Sequence, residues 1–294
     1  MKQIDHELKE IKKVHPIVYN EWKKYAEQYD PKGRIWDNAA AYNPNSNCYA
    51  WYQYGQFMCN PYLSVYERQP LYSYNSLSNT GIKWGQSGTS NYLAPPNSNC
   101  TGCLKSPIGC GPVAIAQTLW HFKKGNYLYS SMPQSSNTSC TPVTNGELSL
   151  SSLMINSANA GNTALNYFGC NGMTYPWNIS PALINMGLQS GGNTSNFNPL
   201  LLNNELYQGY PAIFYGHDGL FDWHIWTSDG FKEHTYRAYD CDLDDCMEWS
   251  YSWYYMNWGW NGNQNGWFSS GVFAPYGSGG SNYNNGLKMI TGIR

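Results

Sequence analysis

The sequence predicts an α+β protein. Helix-forming segments come first, short strand-like runs between Gly-rich turns come last, and no strand–helix alternation links them. The 294 residues suffice for one large domain or two modest ones. Charged residues make up only 12%, against ~25% in an average domain. Asn, Ser, Gly and Tyr supply the polarity instead. With 26 Tyr and 13 Trp the chain is not of the disordered class, and the mixture suits a loop-rich, aromatic-packed extracellular protein.

Taken in order, Ile4, Leu8, Ile11, Val14, Val18, Trp22, Tyr25 and Tyr29 recur at three- and four-residue steps and predict amphipathic helix, divided at Pro16. From Asp30 to Asn79 the periodicity fades into an irregular stretch, tied down by aromatics and by Cys48 and Cys59. Residues 1–80 are therefore expected to form an N-terminal helical and irregular segment: a pro-segment remnant, an inhibitory extension or a structural brace. Thr80 to Pro96 reads as loop. The run Val113 to Trp120 reads as helix, entered through the turn Pro107-Ile-Gly-Cys-Gly-Pro112, where Pro112 sits in the first helical turn. Further helices are predicted at Leu148 to Asn159 and Ser180 to Met186. Strands are predicted at Ala212 to Tyr215, Trp223 to Thr227, Trp253 to Asn257 and Gly266 to Ser269.

The net charge of -2 and pI of about 6.3 give no basis for nucleic-acid or anionic-membrane partners. No stretch approaches the ~20 apolar residues of a membrane helix. Met1 to Glu10 lacks the apolar core of a signal peptide, so a secreted location is inferred from composition and cysteines alone. Nine cysteines allow four disulfides and leave one thiol over, a candidate reactive group. Cys100 and Cys103 form a CxxC without a second CxxC at zinc-ribbon spacing, so no metal site is expected.

Cys110 stands where a helix begins, and the positive end of the helix dipole favours a thiolate there. Gly109 and Gly111 are expected to leave the approach to sulfur open. Among six histidines, His121 lies on the same helix, ~16 Å along it, and cannot reach the thiol. His224, in Asp222-Trp-His-Ile-Trp-Thr-Ser-Asp-Gly230, sits on an apolar, aromatic strand with the rigidity that a base requires. Taken singly, Cys110 reads equally as a structural or disulfide cysteine, and His224 as a core histidine. The segment Tyr254-Tyr-Met-Asn-Trp-Gly-Trp-Asn-Gly262 adds Asn257 to orient an imidazole and Trp258 to shield it. Trp84-Gly-Gln86 adds an amide that, with the Cys110 N–H, would hold an oxyanion. Cys, His and Asn in this chain order are the set used by papain-like proteases.

Together these motifs resemble the streptopain family of bacterial cysteine peptidases. The likeness spans Thr80 to Arg294. It is carried by Lys83-Trp-Gly-Gln86, Ile108-Gly-Cys-Gly-Pro-Val-Ala-Ile-Ala-Gln117, His224 with Asp229-Gly230, Asn257-Trp-Gly-Trp-Asn-Gly262 with Asn265-Gly266, and Lys288-Met-Ile-Thr-Gly-Ile-Arg294. The resemblance implies a papain-like catalytic domain over 81–294, its helical part carrying the nucleophile and packed against an antiparallel β part carrying His and Asn. It implies Cys110 and His224 as catalytic dyad, Gln86 in the oxyanion hole, and Asn257 with Trp258 supporting the histidine. Gly109, Gly111 and Trp223 flank the pair. The implied activity is cofactor-free hydrolysis of protein or peptide substrates by a secreted enzyme made as a zymogen, with a pro-segment or protein inhibitor as a further partner. Two departures stand out: Trp223-His224-Ile225 replaces the family's Gly-His-Ala, and Phe231 to Ser252 is an insertion. Acyl transfer or amidase chemistry on the same fold, or a non-catalytic aromatic-rich binding module, are the alternatives.

Overall fold

The computed structural model describes residues 81–101, 103–136, 139–219, 222–233, 250–275 and 282–294, with the backbone alone of 64–68, 234–240 and 245–249. The predicted N-terminal helices, the tie through Cys48 and Cys59, and the side chains of Cys241 and Cys246 lie outside the described residues. The chain divides into two compact units. The larger comprises Glu67–Lys232, Trp253–Pro275 and Ser281–Arg294 and holds every candidate site residue; the other includes Glu233–Ser252.

Four α-helices are described. Helix α1, Cys110–Phe122, is buried without a break from Gly111 to Leu119, as its continuous apolar run requires. It ends where Lys123 takes a left-handed conformation and returns its N–H to Leu119 O and Trp120 O. Helix α2, Asn145–Ala160, starts three residues before the periodicity suggested. Thr144 and Glu147 form a reciprocal capping box there, the Thr144 hydroxyl accepting from Glu147 N and the Glu147 carboxylate from Thr144 N. Helix α3 is Ile179–Asn185. Helix α4, Pro199–Tyr207, was not predicted; Asn198 caps it, and Pro199 stands at its first position.

The strands are β1 (Ser64–Arg68), β2 (Ala164–Leu165), β3 (Gly172–Met173), β4 (Gly191–Asn196), β5 (Ala212–Asp218), β6 (Asp222–Asp240), β7 (Asp245–Asn257), β8 (Gly266–Ser269) and β9 (Asn285–Ile293). The main sheet runs β4-β9-β5-β6-β7-β8 with β1 on β6, while β2 and β3 form a small antiparallel pair. The pairs β4–β9, β5–β9, β5–β6 and β7–β8 are all antiparallel. The chain is thus α+β with an antiparallel sheet. The stretch read as an insertion relative to the family, Phe231 to Ser252, is largely strand, with β6 running to Asp240 and β7 starting at Asp245.

Alternation along the strands sorts the core into two kinds of packing. Ile213 on β5, Ile225 on β6 and Ile290 on β9 join Ile115, Leu119, Leu150, Leu153 and Leu183 of the helices in one aliphatic cluster. The intervening Phe214 and Trp226 lie in an aromatic layer, with ring centroids 5.7 Å apart, and Trp226 packs on Trp258 at 4.7 Å. His224 shares the parity of Trp226 and therefore belongs to the aromatic side.

Candidate active site

The site is built at the start of α1. Gly109, the residue before the helix, has φ 95 and no capping side chain, and the first turn holds no acid. The leading N–H groups of the helix are thus left for the sulfur of Cys110. Backbone N–H groups of Ile225, Gly111 and Cys110 itself all favour its thiolate, but burial pushes the thiol pKa up and outweighs them, with a further upward push from the Asp222 carboxylate. Burial thus works against the thiolate that the helix dipole alone would favour. Cys110 is half-buried and is the free cysteine among the described residues. Cys100 bonds to Cys170 and Cys103 to Cys140, so the CxxC pair is divided between two disulfides.

The two flanking glycines also make room for neighbouring chain. A Cβ on Gly109 would lie 2.6 Å from the Gly172 carbonyl oxygen, and one on Gly111 would lie 2.5 Å from the Thr174 hydroxyl. They admit β3 and the residue after it against the helix start.

The backbone beside His224 lies at the sulfur, since the Ile225 N–H that acts on the thiol belongs to the next residue of β6. The imidazole is buried and holds the Trp258 carbonyl through Nε2 at 2.8 Å. Burial lowers its pKa to about 4, only partly offset by that carbonyl. The ring is consequently neutral near pH 7 with its proton on Nε2, and Nδ1 keeps the lone pair that can accept a proton. Four aromatic rings surround it: Trp260 at 4.6 Å, Tyr283 at 5.2 Å, Trp258 at 5.9 Å and Trp226 at 6.1 Å. Gly216 pairs with His224 across β5 and β6, and a Cβ there would lie 2.0 Å from the Tyr283 carbonyl oxygen. Glycine at 216 is what lets the Tyr283 segment reach the histidine.

Asn257 ends β7 and is fully buried. Its carboxamide donates to Ile82 O at 3.0 Å and accepts from Gly259 N at 3.2 Å, so it braces the turn that presents the Trp258 carbonyl. Asn265 fixes the preceding peptide by accepting from Trp258 N at 3.0 Å. A main-chain oxygen orients the imidazole, and two asparagines hold that oxygen in place. Gln86 lies close by, half-buried, with its carbonyl accepting from Ile108 N two residues before Cys110. The segment behind it is clamped: Trp84 is fully buried and donates through Nε1 to Pro133 O at 2.7 Å, and Gly85 N donates to the Ser136 hydroxyl at 2.9 Å. Trp223 faces away from His224, 46% exposed, with its ring 4.4 Å from His217.

Sequence reasoning missed the Trp258 carbonyl, Trp260, Tyr283 and the bracing role of Asn265. Trp260 and Asn265 stood in quoted motifs and carried a signal. Tyr283, in an Asn- and Gly-rich run, carried none.

No protein-family model and no curated protein matches the chain. Among solved structures it is similar to the active wild-type interpain A cysteine protease of Prevotella intermedia, with TM-score 0.56 and 18% identity, covering 76% of this chain and 94% of that one. It is also similar to a prointerpain A fragment from the same organism bearing a cysteine-to-alanine substitution, with TM-score 0.52 and 16% identity, covering 83% of this chain and 78% of that one. The chain thus has the general fold of these cysteine proteases.

Proposed function

We propose that this chain is a secreted cysteine peptidase of the streptopain type, acting through an acyl-enzyme on Cys110. One observation carries the reading: a free thiol at an uncapped helix start lies against the β6 backbone beside a buried histidine whose Nε2 is already engaged. In the reaction, His224 Nδ1 takes the thiol proton as sulfur attacks the scissile carbonyl. The oxyanion is met by the Cys110 N–H and the Gln86 amide. The imidazolium then protonates the departing amine, and water deprotonated by the same nitrogen releases the acyl group and restores the thiol. Trp258 holds the ring through its carbonyl, and the aromatic rings around His224 keep that bond dry.

Residues 81–294 form the catalytic domain on this reading, and residues 1–80 a pro-segment that keeps the enzyme latent. The likeness to a pro-form supports this, as two disulfides support an extracellular location. Among the described residues no helix is long and apolar enough to cross a membrane. The decisive test is peptide hydrolysis by Cys110→Ala and His224→Ala, each checked for a native circular-dichroism spectrum. Both should lose at least about a thousandfold in kcat/KM. Turnover retained in either variant refutes the assignment.

A further inference from the structure

Beside the candidate active site lies a depression of about 390 Å³. Gln86 and Trp260 form its inner edge, Gly85, Gly88 and Gly259 contribute bare backbone, and the Cys103–Cys140 disulfide forms the facing wall. We propose that this depression receives the leaving-group half of a peptide substrate, and that the disulfide is its specificity-determining wall. The inference rests on the peptidase reading and names a part of the substrate that the reading leaves open.

The placement follows from the chemistry. The departing amine takes its proton from His224, so the chain beyond the scissile bond leaves on the imidazole side of the sulfur. Trp260 is 4.6 Å from that imidazole, and Gln86 is the oxyanion donor, so the depression opens from the side where the amine is released. Its lining contains no charged residue and offers only neutral polar groups and one indole face. An uncharged leaving residue finds partners there; a charged one finds none.

The wall owes its place to a covalent bond more than to packing. Cys140 is exposed, and Cys103 holds a left-handed backbone with φ 57, which few residues adopt unforced. Ser136 anchors the segment before Cys140 through Gly85 N at 2.9 Å and the Ser90 hydroxyl at 2.6 Å. The disulfide anchors it after.

The test compares two substrates with the same acyl peptide, one ending in an aminocoumarin amide, the other continuing for three uncharged residues. The readout is the ratio of their kcat/KM values, taken after proteolytic removal of residues 1–80, in the unaltered protein, in the Cys103→Ser/Cys140→Ser double variant and in Ser87→Trp. Ser87 lines the depression, is exposed and makes no capping bond, so an indole there fills the space and leaves the core untouched. The extended-to-aminocoumarin ratio should fall about tenfold in both variants, chiefly through KM. If the double variant fails to fold, Ser87→Trp alone decides. An unchanged ratio overturns the inference while Cys110-dependent cleavage of the aminocoumarin substrate keeps the peptidase reading. Cleavage of neither substrate, whether by the full chain or after proteolytic removal of residues 1–80, removes both.

Discussion

The most informative single group is the His224 imidazole, because its environment sets both its proton and its partner. In the unfolded chain it titrates near 6.5; in the fold, burial lowers this to about 4. Between those values the unfolded state binds the extra proton, so stability rises with pH across the window and is lost as pH falls from 6.5 towards 4. The loss amounts to about 3 kcal/mol at the acid end. Urea titrations at pH 7 and pH 4 should show it, and His224→Gln should remove most of it. The acid limb of kcat/KM should likewise lie near 4, not near 6.5. For Asn257→Ala, two buried hydrogen bonds are lost, and unfolding at pH 7 should be easier by about 2 kcal/mol. The chemical residue types at the site were legible because thiol, imidazole and amide stand in motifs with few alternatives. The donor and acceptor assignment was not, because a backbone carbonyl has no letter of its own.

At the scale of elements, legibility followed hydrophobic contrast. α1 was visible as an unbroken apolar run, and the inner strands as aromatic and β-branched runs bounded by glycine. β4, Gly-Gly-Asn-Thr-Ser-Asn, has no apolar residue, and it exists because β9 supplies a partner edge along Gly191 to Asn196. Its glycine is also spatial: a Cβ on Gly191 would lie 2.0 Å from the Ser180 carbonyl oxygen of α3. No local pattern announces such a strand. The start of α2, in contrast, was written in the sequence as Thr-x-x-Glu and passed over in favour of periodicity. Thr144→Ala removes the hydroxyl half of that box and should lower stability by about 1 kcal/mol in thermal or denaturant unfolding, with Thr144→Ser restoring most of it.

Across the whole molecule, distant parts of the chain are fastened at few points. Arg294 reaches Glu205 of α4 with both guanidinium nitrogens, at 2.8 and 3.2 Å, and stacks on the Tyr210 ring at 3.5 Å. Glu205 is buried and Arg294 partly exposed, so Glu205→Ala should cost about 2 kcal/mol, measurable as a lowered urea midpoint. The strand that Arg294 follows, β9, lies between β4 and β5 although it comes after both, and after β6 to β8, in the chain. Synthesis runs from the N-terminus, so every group proposed for bond cleavage leaves the ribosome before the strand that joins the two parts of the sheet. A nascent chain lacking that strand has an open seam beside β5, on which the hairpin bearing the histidine is built. On the reading proposed above, the sheet that carries the histidine hairpin is closed on that side only once Asn285–Ile293 has been made.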